Sequence, residues 1–134
     1  MNVLWSETLK LENSEDIVRA RQAVRARSVA MQFNLVSQTK MVTAASELAR
    51  NTVEYGGGGS MRMEGLENGG TCGLRLVFED QGPGIADLEL ALKDGYTSGT
   101  GLGLGLSGSK RLMNEFDIWS VPGEGTRVTV ARWV

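Results

Sequence analysis

Apolar residues recur along this chain in two rhythms, and the points where one rhythm gives way to the other mark its elements. Val3, Trp5 and Leu9 alternate unevenly with polar neighbours among several β-formers, so Val3 to Leu11 reads as an opening strand. Asn13 or Ser14 then caps a helix. From Asp16 to Met31 the residues Ile17, Val18, Ala20, Val24, Val29 and Ala30 return at helical spacing, with Arg19, Arg21, Arg25 and Arg27 on other faces. A second helix is predicted over Val36 to Tyr55, where Met41, Val42, Ala45, Leu48, Ala49 and Val53 are spaced by threes and fours. Four consecutive glycines, Gly56 to Gly59, end it.

The period then shortens. Ser60 to Gly65 and the more strongly apolar Leu74 to Glu79 read as two antiparallel strands around an Asn68-Gly69-Gly70 hairpin turn. Asp87 to Lys93 is expected to form a short helix, Gly95 to Gly105 a mobile loop, and Ser107 to Phe116 another helix. Asp117 to Val121 and Arg127 to Val134 close the chain as strands around the Pro122-Gly-Glu-Gly125 turn. The expected architecture is an α/β two-layer sandwich, a mixed, mostly antiparallel sheet with helices on one face. Neither a repeat nor a linker-like tract interrupts it, so residues 1–134 are expected to form a single domain.

Composition narrows the chemistry. Fourteen Lys and Arg against sixteen Asp and Glu give a net charge of −2 with no basic run, so no nucleic-acid or anionic-membrane surface is expected. The single Cys72 cannot form an internal disulfide and reads as an inert strand thiol. The N-terminus lacks the pattern of a signal peptide, and no apolar run approaches the roughly 18 residues of a membrane span. A cytoplasmic protein is expected. Histidine is absent, which removes His triads, His zinc ligands and a phospho-accepting His.

Four stretches carry candidate chemistry. Glu47 and Asn51, four residues apart on the second helix, project from one face and set a carboxylate beside a carboxamide oxygen. Such an oxygen suits Mg²⁺, and the Glu can orient or deprotonate a hydroxyl that attacks a γ-phosphate; alone, the pair reads as a solvated polar pair. Asp80 ends an apolar strand ahead of Gly82-Pro-Gly84, where it can accept from the exocyclic amine of adenine while the glycines admit the base. Gly101, Gly103 and Gly105 precede a helix, so backbone N–H groups and a helix dipole would meet phosphate there. Gly103, Gly105 and Gly108 also fit G-x-G-x-x-G, but no strand precedes them, and Ser109 between Gly108 and Lys110 breaks a Walker A loop. Lys110 reads as a solvent-facing helix lysine. Thr126, after Gly125, can support a base through its hydroxyl. Trp5, Trp119 and Trp133 fall on strands and read as core or sheet-edge packing, and Arg50 is a candidate contact for a protein substrate.

In this order, Glu47-Leu-Ala-Arg-Asn51, Asp80-Gln-Gly-Pro-Gly84, Gly101-Leu-Gly-Leu-Gly-Leu106 and Gly123-Glu-Gly-Thr126 resemble the ATP site of the GHKL ATPases, the group of gyrase, Hsp90, histidine kinases and MutL. The resemblance implies the Bergerat fold and ATP with Mg²⁺ as cofactors. It implies that Glu47 is the catalytic acid and Asn51 the magnesium ligand. Asp80, Gly82, Gly84, Ile85, Gly101, Leu102, Gly103, Leu104, Gly105, Leu106 and Thr126 would complete the nucleotide site. Transducer domains and a histidine-bearing domain are not in evidence, so the chain is most similar to stand-alone bacterial serine/threonine kinases that act as anti-sigma factors or stressosome switches. That likeness implies a STAS-domain protein substrate, with a sigma factor or a downstream phosphatase as further partners. A second reading is an anti-sigma factor that sequesters a sigma factor while nucleotide shapes the interface. A degenerate nucleotide sensor fits less well, because Glu47 is intact.

Overall fold

The computed structural model describes residues 1–87, 92 and 102–134, with side chains left aside for 102–105. In chain order the elements are β1 (Asn2–Leu11), α1 (Ser14–Ala30), α2 (Leu35–Glu54), β2 (Gly59–Asn68), β3 (Thr71–Asp80), α3 (Leu102–Leu112), β4 (Glu115–Val121) and β5 (Gly125–Trp133). The five strands form one sheet in the order β1-β2-β3-β5-β4. All the described pairings are antiparallel, so the antiparallel part of the expected sheet accounts for every one of them.

Alternation along the strands decides which face is covered. Leu9 and Leu11 of β1, Met61 and Met63 of β2, Leu74, Leu76 and Phe78 of β3, and Val128 and Val130 of β5 point to the helices and join one core. The α2 helix fills that core with Met41, Val42, Ala44, Ala45, Leu48 and Ala49, and both α1 and α3 pack against α2. The opposite face is polar: Glu64 receives Arg75 at 2.7 Å and lies 3.6 Å from Arg62, which also approaches Glu79 at 3.7 Å. Alternating charges of this kind keep an uncovered sheet face solvated.

Local chemistry explains the boundaries. Asn13 caps α1 by accepting the Asp16 N–H at 3.0 Å, and Asp16 in turn accepts the Glu12 N–H at 2.9 Å and Arg19 at 2.8 Å. The Arg19 hydrogen bond, followed by the Glu12 N–H, holds the buried Asp16 carboxyl below its usual value. The α1 seam is narrower than the apolar pattern suggested: Ala20, Val24 and Ser28 are buried, whereas Val18 and Val29, on the opposite side, face solvent. Gly69 and Gly70, at φ 59° and 88°, make the two-residue hairpin turn that joins β2 to β3.

The one substantial correction concerns α3. It starts at Leu102 rather than Ser107 and stops at Leu112 rather than Phe116. Glycines weaken a helix by about 1 kcal/mol each, yet packing against α2 around the buried Leu106 overrides that cost. At the other end Arg132 donates to the Leu112 carbonyl at 2.9 Å, and Glu115 and Phe116 pair with Ala131 and Val130 instead of extending the helix. The helix expected over Asp87 to Lys93, and the loop from Gly95 to Gly101, lie outside the described residues apart from Asp87 and Leu92. Trp5 packs on Gly65 beneath Arg27, Trp133 covers Gly73 and donates to Glu115 at 2.7 Å, and Trp119 is exposed on the edge strand β4.

Candidate functional site

The core does not run to the end of the sheet. On β3 the helix-facing residues are Leu74, Leu76 and Phe78, and the next in phase is Asp80. The same substitution of polar for apolar occurs on the neighbouring strands. Thr126 lies in phase with Val128 and Val130 on β5, and Ser120 in phase with Phe116 and Ile118 on β4. The register sets Asp80 opposite Thr126 and Thr126 opposite Ser120. Three polar side chains therefore make a row across three strands at one end of the core.

Around this row lies an open-mouthed cleft with a cavity volume of about 160 Å³. Phe78, Val128 and Leu106 supply apolar surface, Leu48, Asn51, Thr52 and Tyr55 supply the α2 wall, and Gly56, Asp80, Pro83, Gly84, Ile85 and Thr126 complete it. Asn51, Asp80, Gly84, Ile85, Leu106 and Thr126, which are far apart in sequence, are thus brought together. Gly82 is not in the lining. Its N–H donates to Asp80 Oδ1 at 2.9 Å, and a side chain there would collide with Gly56.

Burial raises the Asp80 carboxyl above its ordinary value, an effect that the N–H groups of Gly82 and Thr126 oppose. A half-buried carboxylate held among glycines and apolar walls is a strong, selective acceptor. Gly56 shows how tightly it is held: a Cβ at that position would strike the Asp80 carboxyl. The four-glycine run is therefore more than a helix stop, since its first residue is a wall of the cleft and Gly57 and Gly58 take φ values of 75° and 103°.

Asn51 enters from α2 between the buried Leu48 and Thr52. Its Nδ2 is buried and without a hydrogen-bond partner. An amide left unsatisfied at the edge of a cleft, when almost all buried polar groups are paired, marks a position for a polar ligand. Glu47 sits one turn earlier, outside the cleft lining, where its Oε1 accepts Arg50 Nη1 at 3.3 Å and its side chain is 38% exposed. Arg50, proposed from the sequence as a substrate contact, is thus held by Glu47. Leu102, Gly103, Leu104 and Gly105 form the opening of α3, the turn before Leu106, while Gly101 lies outside the described residues. Lys110 is exposed, as expected of a solvent-facing helix lysine.

Ser120 is the site residue that motif reading passed over. Its Oγ accepts the Ile85 N–H at 2.7 Å, lies 3.1 Å from the Gly125 carbonyl and 2.8 Å from Thr126 Oγ1. Together with Gly123 N–H donating to the Pro83 carbonyl at 2.8 Å, it fastens the Asp-x-Gly-x-Gly loop to the Gly-x-Gly-Thr turn. A polar residue in the apolar phase of a strand was the available signal. Tyr55 and Gly56 carried none.

Comparison with known proteins bears on the family and the fold. Residues 36–133 match the family model of histidine kinase-, DNA gyrase B- and HSP90-like ATPases. The serine/threonine-protein kinase RsbT of Bacillus subtilis is 45% identical over 119 residues, covering 89% of this chain and 90% of that protein. An anti-sigma F factor of Thermoanaerobacter is 25% identical over 130 residues, 92% of this chain and 90% of the relative. Two solved structures share the fold. The RsbU and RsbW domains of a Mycobacterium tuberculosis protein match with TM-score 0.63 and 18% identity, over 96% of this chain and 32% of that one. The mycobacterial sensor histidine kinase MprB matches with TM-score 0.56 and 19% identity, over 96% and 97%.

Proposed function

The chain belongs to the histidine kinase-, DNA gyrase B- and HSP90-like ATPase family, and from that premise we propose that its cleft takes ATP to phosphorylate a serine or threonine of a partner protein. The observation that carries this reading is the meeting of Asn51, Asp80 and Thr126 on one cleft in a chain 45% identical to a serine/threonine kinase. The protein acts as a partner-switching kinase, and the partner is a STAS-domain protein.

Each residue has a part that follows from its chemistry. Asp80 accepts from the exocyclic amine of adenine, where the carbonyl of guanine would be repelled. Gly84, at φ 76°, lies where a side chain would strike the Val121 carbonyl, so glycine lets this loop close against the end of β4 beside the cleft. Phe78, Ile85, Leu106 and Val128 give the ring apolar contact. Asn51 fits a ligand of Mg²⁺ through its side-chain oxygen, a hard donor, while its buried and unpartnered Nδ2 is suited to donate to a phosphate oxygen. When bound, the ion neutralises charge on the triphosphate oxygens. Among the described residues no three His, Cys, Asp or Glu gather to hold a metal alone, so the rest of its shell would come from phosphate and water.

Glu47 faces the partner. The incoming hydroxyl oxygen bonds to the γ-phosphorus as the bond from that phosphorus to the β,γ-bridging oxygen breaks; ADP leaves and the hydroxyl proton passes to Glu47. The exposure of Glu47 suits this role, since a protein substrate has to reach it. Phosphorylation adds about −1.5 to −2 charge to the partner, enough to part an interface and free the kinase for another target, a sigma factor or a downstream phosphatase. A cytoplasmic setting suits the lone Cys72, and no helix among the described residues is long and apolar enough to cross a membrane.

The anti-sigma F relatives, similar over 92% of the chain, favour one second reading: sequestration of a sigma factor with nucleotide shaping the surface. Incubation with γ-labelled ATP and candidate STAS partners separates the two. Label on a partner serine or threonine is expected, whereas stable co-purification with a sigma factor and no transfer to any partner would replace the switch kinase with the sequestering protein.

A further inference from the structure

Ser120 has one proton and two neighbours that can take it. Its oxygen accepts the Ile85 N–H at 2.7 Å, and it stands 2.8 Å from Thr126 Oγ1, where either hydroxyl can donate, and 3.1 Å from the Gly125 carbonyl. A hydroxyl donates once and accepts twice. Only one arrangement uses all three contacts: Thr126 donates to Ser120, Ser120 donates to Gly125, and Ile85 donates to Ser120. If Ser120 instead donated to Thr126, the Gly125 carbonyl would lose this donor in a half-buried site, which is the costlier choice.

We propose that Ser120 is a specificity-determining positioning residue, which draws the Thr126 proton away from the cleft so that Thr126 presents only lone pairs to the nucleobase. Thr126 lines the cleft and lies opposite Asp80 in the sheet register. With its proton committed to Ser120, the cleft offers the base two acceptors, the Asp80 carboxylate and Thr126 Oγ1. Two acceptors favour a purine with an amino group at position 6 and repel one with a carbonyl there. Ser120 is outside the cleft lining. It acts through Thr126 and Ile85, and the inference rests on the reading of the cleft as an adenine site.

The test compares ATP with ITP, in which a carbonyl replaces the amino group at position 6 of the purine and N1 carries a proton. Ser120→Ala releases the Thr126 proton, which can then donate to the ITP carbonyl. ATP is expected to bind less tightly, ITP more tightly, and the ATP preference to fall about fivefold to tenfold. Ser120→Thr, which keeps the hydroxyl, restores the preference, and Thr126→Val lowers it as Ser120→Ala does. Equal weakening of both nucleotides by Ser120→Ala, the mark of a structural role alone, overturns the proposal, as does an unchanged preference. Asp80→Asn, measured alongside, separates the failures. If it leaves ATP affinity intact, the adenine reading falls and this inference with it; if it weakens ATP while the Ser120 variants change nothing, only the inference falls.

Discussion

Leu76 and Asp80 stand on the same strand and the same face, four residues apart, and answer to opposite demands. Leu76 is fully buried among Met63, Val130 and the α2 side chains, where apolar area leaves water and every neighbour is replaceable by another of similar volume. Asp80 continues that line into the cleft, where a carboxyl is partly desolvated and held above its usual pKa. Its surroundings accept no such exchange, since Gly56 would collide with it if it bore a side chain, and Gly125, at φ 130°, sits against its carbonyl. The core end of the sheet supplies stability and the cleft end consumes some of it to keep polar groups unpaired. Substitutions at the two ends should therefore fail in different ways.

The largest effect is expected at Glu47. It lies outside the cleft lining, so Glu47→Gln should leave ATP affinity and melting temperature near wild type while phosphate transfer falls by about 10²- to 10⁴-fold. Transfer within threefold of wild type would remove Glu47 from the chemistry. Next comes the core. Leu76→Ala should cost about 2–5 kcal/mol, measured as a lower midpoint in denaturant at unchanged slope. Well below that midpoint, ATP affinity should hold. A variant that lost ATP affinity while its stability held would erase the distinction between the two ends.

The elements that could be read in advance are those set by neighbours in sequence. Asn13 is a local cap, Gly69-Gly70 is a local turn, and the spacing of Met41, Ala45 and Leu48 is a local rhythm. The start of α3 was missed because glycines argue for a loop and the opposing argument, contact with α2, comes from a distant segment. Strand order was open for the same reason, since the pairing of β5 with β3 joins residues about fifty apart. In the site, Asn51, Asp80 and Thr126 were legible because each sits in a short patterned motif. Ser120 has no motif, yet like Asp80 and Thr126 it is polar in the apolar phase of its strand. Reading phase along Phe116, Ile118 and Ser120 would have found it; nothing local would have found Gly56, whose role depends on where Asp80 arrives.

The finest test is Asp80 itself, followed against pH. A carboxyl whose pKa is raised on folding stabilises the fold while protonated. That contribution is complete below the unfolded-state pKa and is lost as pH rises through the raised folded value. At neutral pH the charge therefore works against the nucleotide-free fold. Asp80→Asn removes the charge and retains an oxygen for the Gly82 N–H. The nucleotide-free variant should melt no lower than wild type at pH 7, and any gain should vanish as pH falls through the upshifted Asp80 value. ATP affinity should drop by about 10- to 100-fold, the worth of a charge-assisted hydrogen bond. Wild-type affinity should decline on acidification from a pH above the usual carboxylate range, and the variant should be flat there. A several-degree fall in melting temperature at pH 7 would mean that Asp80 behaves as Leu76 does, and the cleft end would have to be counted as core.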